Sequence, residues 1–122
     1  MLKNKNVNLH YNMYNINPKL WGRSTWDTIF YFLAAYPKNP SKEEINVMYD
    51  YILLLRKILP CSKCRENYRK NLKKYPVSNS ILSNKKKLIN WFINIKRQIA
   101  SKNGKKDNLN YDKVISKYLY GK

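Results

Sequence analysis

Apolar residues recur at three- and four-residue spacing in four separate stretches of the chain. The clearest stretch carries one stripe, formed by Trp26, Ile29, Phe30, Leu33 and Ala34. Such spacing places the apolar side chains on one face of an α-helix, and that face must be buried against other helices. Four amphipathic helices joined by short links predict an all-α fold, a four-helix bundle with a short fifth C-terminal helix.

Local signals predict where these helices begin and end. The first helix starts near Leu20 and ends at Tyr36-Pro37, because a residue before proline is pushed out of the helical conformation. Ser41 followed by Glu44 forms a capping box that opens the second helix, and Pro60 ends it. The other predicted helices run from the cysteines to Lys74, from Leu88 to about Lys102, and from about Asp112 to Leu119.

The length of the chain bounds its domain organisation. With 122 residues it can form one compact domain but not two. Residues 1–17 are rich in Asn, Tyr and Lys, so we expect a flexible polar arm there and a folded domain over 18–122. The arm lacks the apolar stretch of a signal peptide, and no apolar run approaches the roughly 18 residues that a membrane span needs. The sequence therefore predicts neither a signal peptide nor a transmembrane segment.

The net charge is +18, from 25 Lys and Arg against 7 Asp and Glu. A charge of this size is typical of chains that bind nucleic acid or another anionic surface. The alternative is a genome rich in A and T, whose codons favour the Lys, Asn, Ile and Tyr that are abundant here. The basic residues are scattered, and their longest run is Lys85-Lys86-Lys87. Charge alone therefore does not define a function, and specific nucleic-acid binding is not expected.

The two cysteines, Cys61 and Cys64, form a C-x-x-C motif at the start of the third predicted helix. Two intervening residues let one helical turn bring both sulfurs together, so that a disulfide can open and close with little backbone movement. The helix N-terminus, Lys63 and Arg65 all favour a thiolate there. Because a thiolate of low pKa can attack, or leave from, a mixed disulfide, the motif predicts dithiol–disulfide exchange with Cys61 and Cys64 as the catalytic residues.

Two other interpretations of the cysteines remain open at this point. They are half of a zinc site, for which the single histidine, His10, would have to come from another molecule, or they are two inert cysteines. Thioredoxin-like chemistry is not expected, because that motif belongs to a βαβ context and no strands are evident. A glycine-rich dinucleotide loop is also missing. The residues by themselves thus predict a helical dithiol protein whose electron acceptor would be a cofactor held by aromatic and basic side chains.

Three landmarks in this order carry a family resemblance. They are the W-G-R-x-x-W segment from Trp21 to Trp26, the Tyr36-Pro37 break, and the Pro60-Cys61-Ser62-Lys63-Cys64 motif. Together they resemble the Erv/ALR family of FAD-dependent sulfhydryl oxidases, over about residues 18–120. The stretch from Asn17 to Arg23 reads N-P-K-x-W-G-R and is similar to the poxvirus-encoded branch. The resemblance therefore points to a member encoded by a large DNA virus.

The chain departs from the usual family pattern at two places. Phe30 stands where the family has a histidine four residues after the tryptophan of the first helix. The family's H-N-x-V-N run is replaced by residues 96–100, in which Ile99 keeps its aliphatic character. The poxvirus branch is similar in lacking both histidines.

The resemblance implies a dimeric bundle that holds FAD beside the dithiol. A partner's thiolate would attack the Cys61–Cys64 disulfide at Cys61, and electrons would pass by way of Cys64 and FAD to oxygen, which yields hydrogen peroxide. Family members often carry an additional shuttle disulfide, but this chain has no third cysteine. A separate thiol protein would therefore relay oxidising equivalents to the final disulfide-bonded clients. The implied location is the host cytoplasm at sites of virus assembly, and the virion.

The resemblance also implies a set of FAD-binding residues, which are aromatic, cationic or part of the motifs. They are Gly22, Arg23, Trp26, Phe30, Tyr36, Lys96, Ile99, Lys102, Lys105, Lys117 and Tyr118. The cations would suit the cofactor's pyrophosphate. The simpler alternatives are core positions for Trp26 and Phe30, a surface aromatic for Tyr118, and solvated side chains for the cations. The alternative function is a basic helical module that binds nucleic acid or protein and whose dithiol is incidental or a redox sensor.

Overall fold

The computed structural model describes residues 13–122, which fold into helices without a β-strand in that range. The helices are α1 (Pro18–Ala35), α2 (Lys42–Ile58), α3 (Ser62–Lys74), α4 (Asn79–Leu82), α5 (Lys85–Lys102) and α6 (Tyr111–Val114), which continues as a π-helical turn over Ile115–Leu119. The predicted all-α class is confirmed. No helix among these residues combines the length and the apolar character needed to cross a membrane.

Two elements differ from the sequence prediction. The Ser/Asn-rich link between the third and fourth predicted helices contains the short helix α4, and α5 begins at Lys85 rather than Leu88. Both differences arise from polar caps: Ser78 accepts from the backbone N–H of Ile81, and Asn84 accepts from that of Lys87. Because capping side chains satisfy N–H groups that lack an intrahelical partner, they open helices inside a segment whose composition favours a turn.

Helix α5 is the centre of the packing. It contacts α1, α3, α4 and α6, and it buries six apolar side chains: Leu88, Ile89, Trp91, Phe92, Ile93 and Ile95. The stripes of α1 and α2 complete the core, with Phe30, Leu33 and Ile52 almost fully buried. Burial of these faces supplies the main stabilisation, since apolar area removed from water contributes about 25 cal/mol per Å².

Buried aromatic side chains tie neighbouring helices together through their polar ends. The hydroxyl of Tyr36 donates to the carbonyl of Leu82 at 2.8 Å, and the hydroxyl of Tyr68 donates to that of Ile52 at 2.8 Å. The indole N–H of Trp91 donates to the carbonyl of Tyr75 at 2.9 Å. Within residues 13–122 every buried side-chain nitrogen and oxygen has a hydrogen-bond partner. The core therefore carries no uncompensated polar side-chain atom in that range.

The C-terminal segment closes over α1 and α5. Tyr118 donates to the carboxylate of Asp27 on α1 at 2.7 Å. Lys96 of α5 forms an ion pair with Asp107, which also accepts from the backbone N–H of Leu109 at 2.9 Å. Burial opposes ionisation of Asp107, but the hydrogen bonds from Lys96 and Leu109 outweigh it and lower the pKa of this carboxyl. This ion pair ties the link between α5 and α6 back onto α5.

We expect Tyr36→Phe to lower the free energy of unfolding by about 1 kcal/mol, because it removes the only donor that Tyr36 offers to the buried carbonyl of Leu82. Tyr49→Phe is the matched control, since Tyr49 lies at the surface of α2. Urea unfolding followed by circular dichroism measures both. Equal stability of the two variants would show that the Tyr36 hydrogen bond does not support the fold.

Candidate active site

The cysteines lie where α2 ends and α3 begins. Cys61 is the N-cap residue of α3, Cys64 lies in its first turn, and the structure joins their sulfurs in a disulfide with the Cα atoms 5.1 Å apart. The Cys61 sulfur also accepts from the backbone N–H of Cys64 at 3.1 Å. Both residues are partly exposed. The helix N-terminus thus directs the N–H of Cys64 at the Cys61 sulfur.

Arginines of α3 hold this junction in place. Arg65 is buried, with 3% of its surface exposed, and its guanidinium donates to the carbonyl of Leu59. One turn later Arg69 donates to the carbonyl of Arg56 at 3.1 Å. These carbonyls belong to the last turn of α2 and its cap, where intrahelical donors are missing. Two cations of one helix therefore cap the end of the other and fix the loop that carries Cys61.

A second anchor comes from the segment before α1. The side-chain oxygen of Asn15 accepts from the backbone N–H of Ser62 at 2.7 Å, and the backbone N–H of Ile16 donates to the carbonyl of Pro60 at 2.8 Å. The indole of Trp21 in turn donates to the carbonyl of Ile16 at 2.8 Å. Most of the predicted arm, residues 1–12, lies outside the described residues. Its final residues contact the loop on both sides of Cys61.

The disulfide forms part of the wall of a cavity of about 460 Å³. Side chains of α1, α2, α3 and α5 make up the rest, and most of them are apolar. The lining comprises Pro18, Trp21, Gly22, Thr25, Trp26, Ile29, Leu55, Leu59, Cys61, Lys63, Cys64, Asn67, Tyr68, Phe92, Ile99, Lys102 and Asn103. Cavities of roughly 300–1,000 Å³ with mainly apolar walls and a few polar groups are typical of small-molecule and cofactor sites.

Six of the residues singled out in the sequence meet at this cavity: Cys61, Cys64, Gly22, Trp26, Ile99 and Lys102. They come from three helices that are far apart in the chain. The ammonium of Lys102 lies 3.4 Å from the side-chain oxygen of Asn67, so that α5 and α3 approach each other at this point.

Four others lie behind or beside Trp26. Phe30 is fully buried and stacks between Trp26 and Tyr118, with ring centres 5.9 and 5.6 Å away. The ammonium of Lys96 lies 5.9 Å from the centre of the Trp26 ring, and that of Lys117 lies 3.9 Å from Asp27. Burial, together with the hydrogen bond to Asp27, raises the pKa of Tyr118. None of these four residues lines the cavity itself, but Phe30 and Lys96 contact Trp26, which does.

The structure does not bring the remaining three to the cavity. Arg23 and Lys105 are exposed and absent from its lining. Tyr36 lines a separate groove between the end of α1 and the start of α2. Its hydroxyl is engaged by Leu82, as described above.

Sequence reasoning missed several lining residues, among them Thr25, Asn67 and Asn103. Asn67 could have been found from its spacing, because it lies three residues after Cys64 and thus on the same face of α3. Asn103 carries no such signal, since it joins the cavity only through the way α5 ends beside α1 and α3.

Residues 13–122 provide no further ligands for the zinc site that was one interpretation of the cysteines. Over residues 13–122 no three His, Cys, Asp or Glu side chains cluster as a metal site would require. His10 lies outside the described residues.

The site does contain a disulfide that is reachable from solvent and that also faces a mainly apolar cavity. This arrangement allows thiol exchange on the solvent side and a bound electron acceptor on the cavity side.

Comparison with known proteins agrees with this geometry. The model of the Erv1 / Alr family matches residues 23–119. A probable FAD-linked sulfhydryl oxidase of Acanthamoeba polyphaga mimivirus is 35% identical over 91 residues, which cover 75% of this chain and 64% of that protein. A protein of Invertebrate iridescent virus 6, also named for FAD-linked sulfhydryl oxidase activity, is 30% identical over 97 residues, or 76% of this chain and 87% of that protein. The chain thus spans slightly less than two thirds of the mimivirus relative.

Among solved structures, the FAD binding domain of Erv1 from Saccharomyces cerevisiae superposes with a TM-score of 0.77. It is 18% identical, and the match covers 88% of this chain and 99% of that one. This likeness concerns the fold. Together with the family match and the viral relatives, it shows that the chain belongs to the Erv1 / Alr family, in agreement with the large-DNA-virus branch to which its motifs point.

Proposed function

We propose that this protein is an FAD-linked thiol oxidase that makes disulfide bonds in partner proteins. In the overall reaction a partner's two thiols and one oxygen molecule give one disulfide and one hydrogen peroxide. The observation that carries the proposal is the Cys61–Cys64 disulfide in the wall of a cofactor-sized, mainly apolar cavity. Membership of the Erv1 / Alr family supports it, as do the names of the viral relatives.

The residues around the cavity suit FAD. Trp26 offers a flat aromatic face, Ile29 and Ile99 offer apolar contact, and Lys102 supplies a cation close to the lining of α3. We assign these residues and Gly22 to direct contact with the cofactor. Phe30 and Tyr118 would act through Trp26, because they stack behind it. When bound, FAD supplies a two-electron acceptor that oxygen can reoxidise.

The cations outside the lining have a different assignment. Arg23, Lys105 and Lys117 are exposed, so we propose that they meet the cofactor's phosphates only where these leave the cavity. Lys96 is engaged by Asp107, and its contribution would be to hold Trp26 from the far side. For Tyr36 the groove position favours a structural role.

The chain's own residues account for the exchange step. A partner thiolate attacks the Cys61 sulfur, the Cys61–Cys64 bond breaks, and Cys64 takes the electron pair as a thiolate. Cys64 lies in the first turn of α3, where the helix dipole favours a thiolate, and Lys63 adds a cation to the same cavity wall. The partner's second thiolate then attacks its own sulfur in the mixed disulfide and releases Cys61 as a thiolate. Arg65, Asn15 and Ile16 hold the loop while its sulfur changes partners.

We also propose that the protein is a homodimer through the exposed face shared by α1 and α2. Phe32, Val47 and Leu54 are 49%, 61% and 48% exposed there, and Phe32 packs edge-on against Tyr51 with ring centres 5.4 Å apart. Contiguous exposed apolar residues of this kind mark protein interfaces. A second copy is the occupant that the family resemblance implies.

The proposed setting follows from the viral relatives. We propose that the protein works in the host cytoplasm where virions assemble, and that a separate thiol protein relays its oxidising equivalents to clients. Such a catalyst would allow disulfides to form in a compartment that normally keeps thiols reduced.

The purified protein should be yellow and consume oxygen when dithiothreitol is added. Cys64→Ser and Cys61→Ser should each lower turnover by about a thousandfold or more, because neither single thiol can form the disulfide that is reduced and remade. Ser62→Ala is the matched control in the same loop. Absorbance near the flavin band and an oxygen electrode measure the two properties. A colourless folded protein that takes up no added FAD would overturn the proposed function.

The relay can be trapped as a mixed disulfide. In Cys64→Ala the Cys61 thiolate can attack the disulfide of the oxidised partner: the Cys61–partner bond forms as the partner's disulfide breaks and releases a partner thiolate. Because Cys64 is missing, Cys61 cannot pass on to an internal disulfide, and the mixed disulfide should accumulate. Isolation from cells under thiol-blocking conditions, followed by reduction and mass spectrometry, identifies the partner. Cys61→Ala is the control that should retain none. Recovery of the same proteins with both variants would show that the capture is unspecific.

The dimer face is tested by Val47→Glu, which places a charge in the proposed interface while the side chain remains solvent-accessible in the monomer. We expect the variant to be monomeric and the parent to be dimeric in analytical ultracentrifugation. Leu20→Glu, at a residue that is 78% exposed on α1, is the matched control and should stay dimeric. Unchanged mass of Val47→Glu would place the interface elsewhere.

A further inference from the structure

Cations outnumber carboxylates around the disulfide. The residues that line the cavity fall within three stretches of the chain: residues 18–29, 55–68 and 92–103. Together these stretches contain nine Lys and Arg residues and two acidic residues, Asp27 and Glu66. The cations are Lys19, Arg23, Arg56, Lys57, Lys63, Arg65, Lys96, Arg97 and Lys102. Residues 1–12, which lie outside the described range, add no acidic residue to the sequence before α1.

Most of these cations form no ion pair. In residues 13–122 the ion pairs are Lys96 with Asp107 and Lys117 with Asp27, so Lys96 is the one cation of the nine that takes part in an ion pair. Arg56 and Arg65 donate to backbone carbonyls, whereas Lys19, Lys57 and Lys63 are exposed. Glu66, one turn into α3, is the acidic residue nearest in sequence to the disulfide.

Two of the seven acidic residues lie at the end of α2 that is far from the disulfide. Glu43 and Glu44 are in the first turn of α2, whereas Lys57 lies in its last turn beside the loop of Cys61. A helix of 17 residues is about 25 Å long, which is about three Debye lengths at physiological salt. A protein that approaches Cys61 therefore meets a positive field that the acids at the far end of α2 do not cancel.

We propose that the thiol partner which reduces the Cys61–Cys64 disulfide presents an acidic surface around its own cysteines. The inference rests on the proposed oxidase function and adds the chemical class of its substrate. Clustered charge of one sign steers oppositely charged partners and raises their association rate by about 10- to 1,000-fold at low ionic strength. Nucleic acid would meet the same cations, but the cations surround the disulfide, where a protein thiol must dock.

The test compares three reductants of the FAD-loaded protein: dithiothreitol, and two reduced peptides with the same Cys-x-x-Cys core, flanked on both sides by glutamates in one and by lysines in the other. At about 0.1 M salt, where the Debye length is about 10 Å, we expect kcat/KM to be about tenfold higher for the acidic peptide than for the basic one. At about 1 M salt, where the Debye length is about 3 Å, the preference should fall below about twofold.

A pair of charge-reversal variants locates the effect. Lys19→Glu with Lys57→Glu should abolish the preference for the acidic peptide and leave turnover of uncharged dithiothreitol unchanged, since neither side chain lines the cavity. Lys38→Glu with Lys42→Glu is the matched control, because it changes the net charge equally at the opposite end of α2 and should keep the preference. Flavin absorbance and circular dichroism confirm that both variants are loaded and folded.

Several outcomes would overturn the inference. Equal kcat/KM for the two peptides at about 0.1 M salt would show that the local field does not select the partner. An equal loss of the preference for the acidic peptide in both double variants would show the same. If the two peptides react at equal rates and a single-stranded oligonucleotide binds the parent but not the Lys19→Glu, Lys57→Glu variant, the cations serve nucleic-acid binding instead. Failure of the oxidase proposal is distinguishable, because it would appear as missing turnover of dithiothreitol.

Discussion

The structure depends on the hydrogen bonds that complete the end of α2 and the start of α3 at the same loop. The carbonyls at the end of α2 lack intrahelical donors, and the N–H groups that open α3 lack acceptors. Arg65 and Arg69 supply the donors, while the Cys61 sulfur and Asn15 supply acceptors. The loop that carries Cys61 is therefore held by the same hydrogen bonds that cap the two helices. Its sulfurs can change partners without loss of the surrounding fold.

The core explains why a cavity lies beside that loop. Helix α5 buries its apolar face against α1 and α3, and bulky rings fill the space behind Trp26. Gly22 and Thr25, which precede Trp26 on the same helix, line the cavity beside it with little or no side chain, and a Cβ at Gly22 would meet no atom within 4 Å. The gap that they leave is mainly apolar. A disulfide in its wall thus faces a site of low polarity, where a cofactor could accept electrons away from bulk water.

Much of the helical pattern could be predicted because it is local. The stripe around Phe30, the capping box of Ser41 and Glu44 and the proline breaks each act over a few residues, and the structure confirms the elements they define. Helix α4 was missed because two caps outweigh a composition that is typical of turns. Burial of Arg65 was not predictable either. From the sequence, an arginine next to a cysteine is expected to be exposed. Arg65 is buried because its guanidinium donates to the carbonyl of Leu59, whose position is set by the packing of α2 against α3.

By itself, the sequence determined the helical class, the C-x-x-C spacing that lets Cys61 and Cys64 form a disulfide, and the excess of positive charge, since each follows from spacing or composition. The tertiary structure decided which predicted residues share a cavity. Trp26, Ile99 and Lys102 meet there, whereas Tyr36 faces another groove although it lies on or next to the same helix as Trp26. The physical reason is that helix packing sets the distances between residues far apart in the chain. No local pattern encodes where α5 crosses α1.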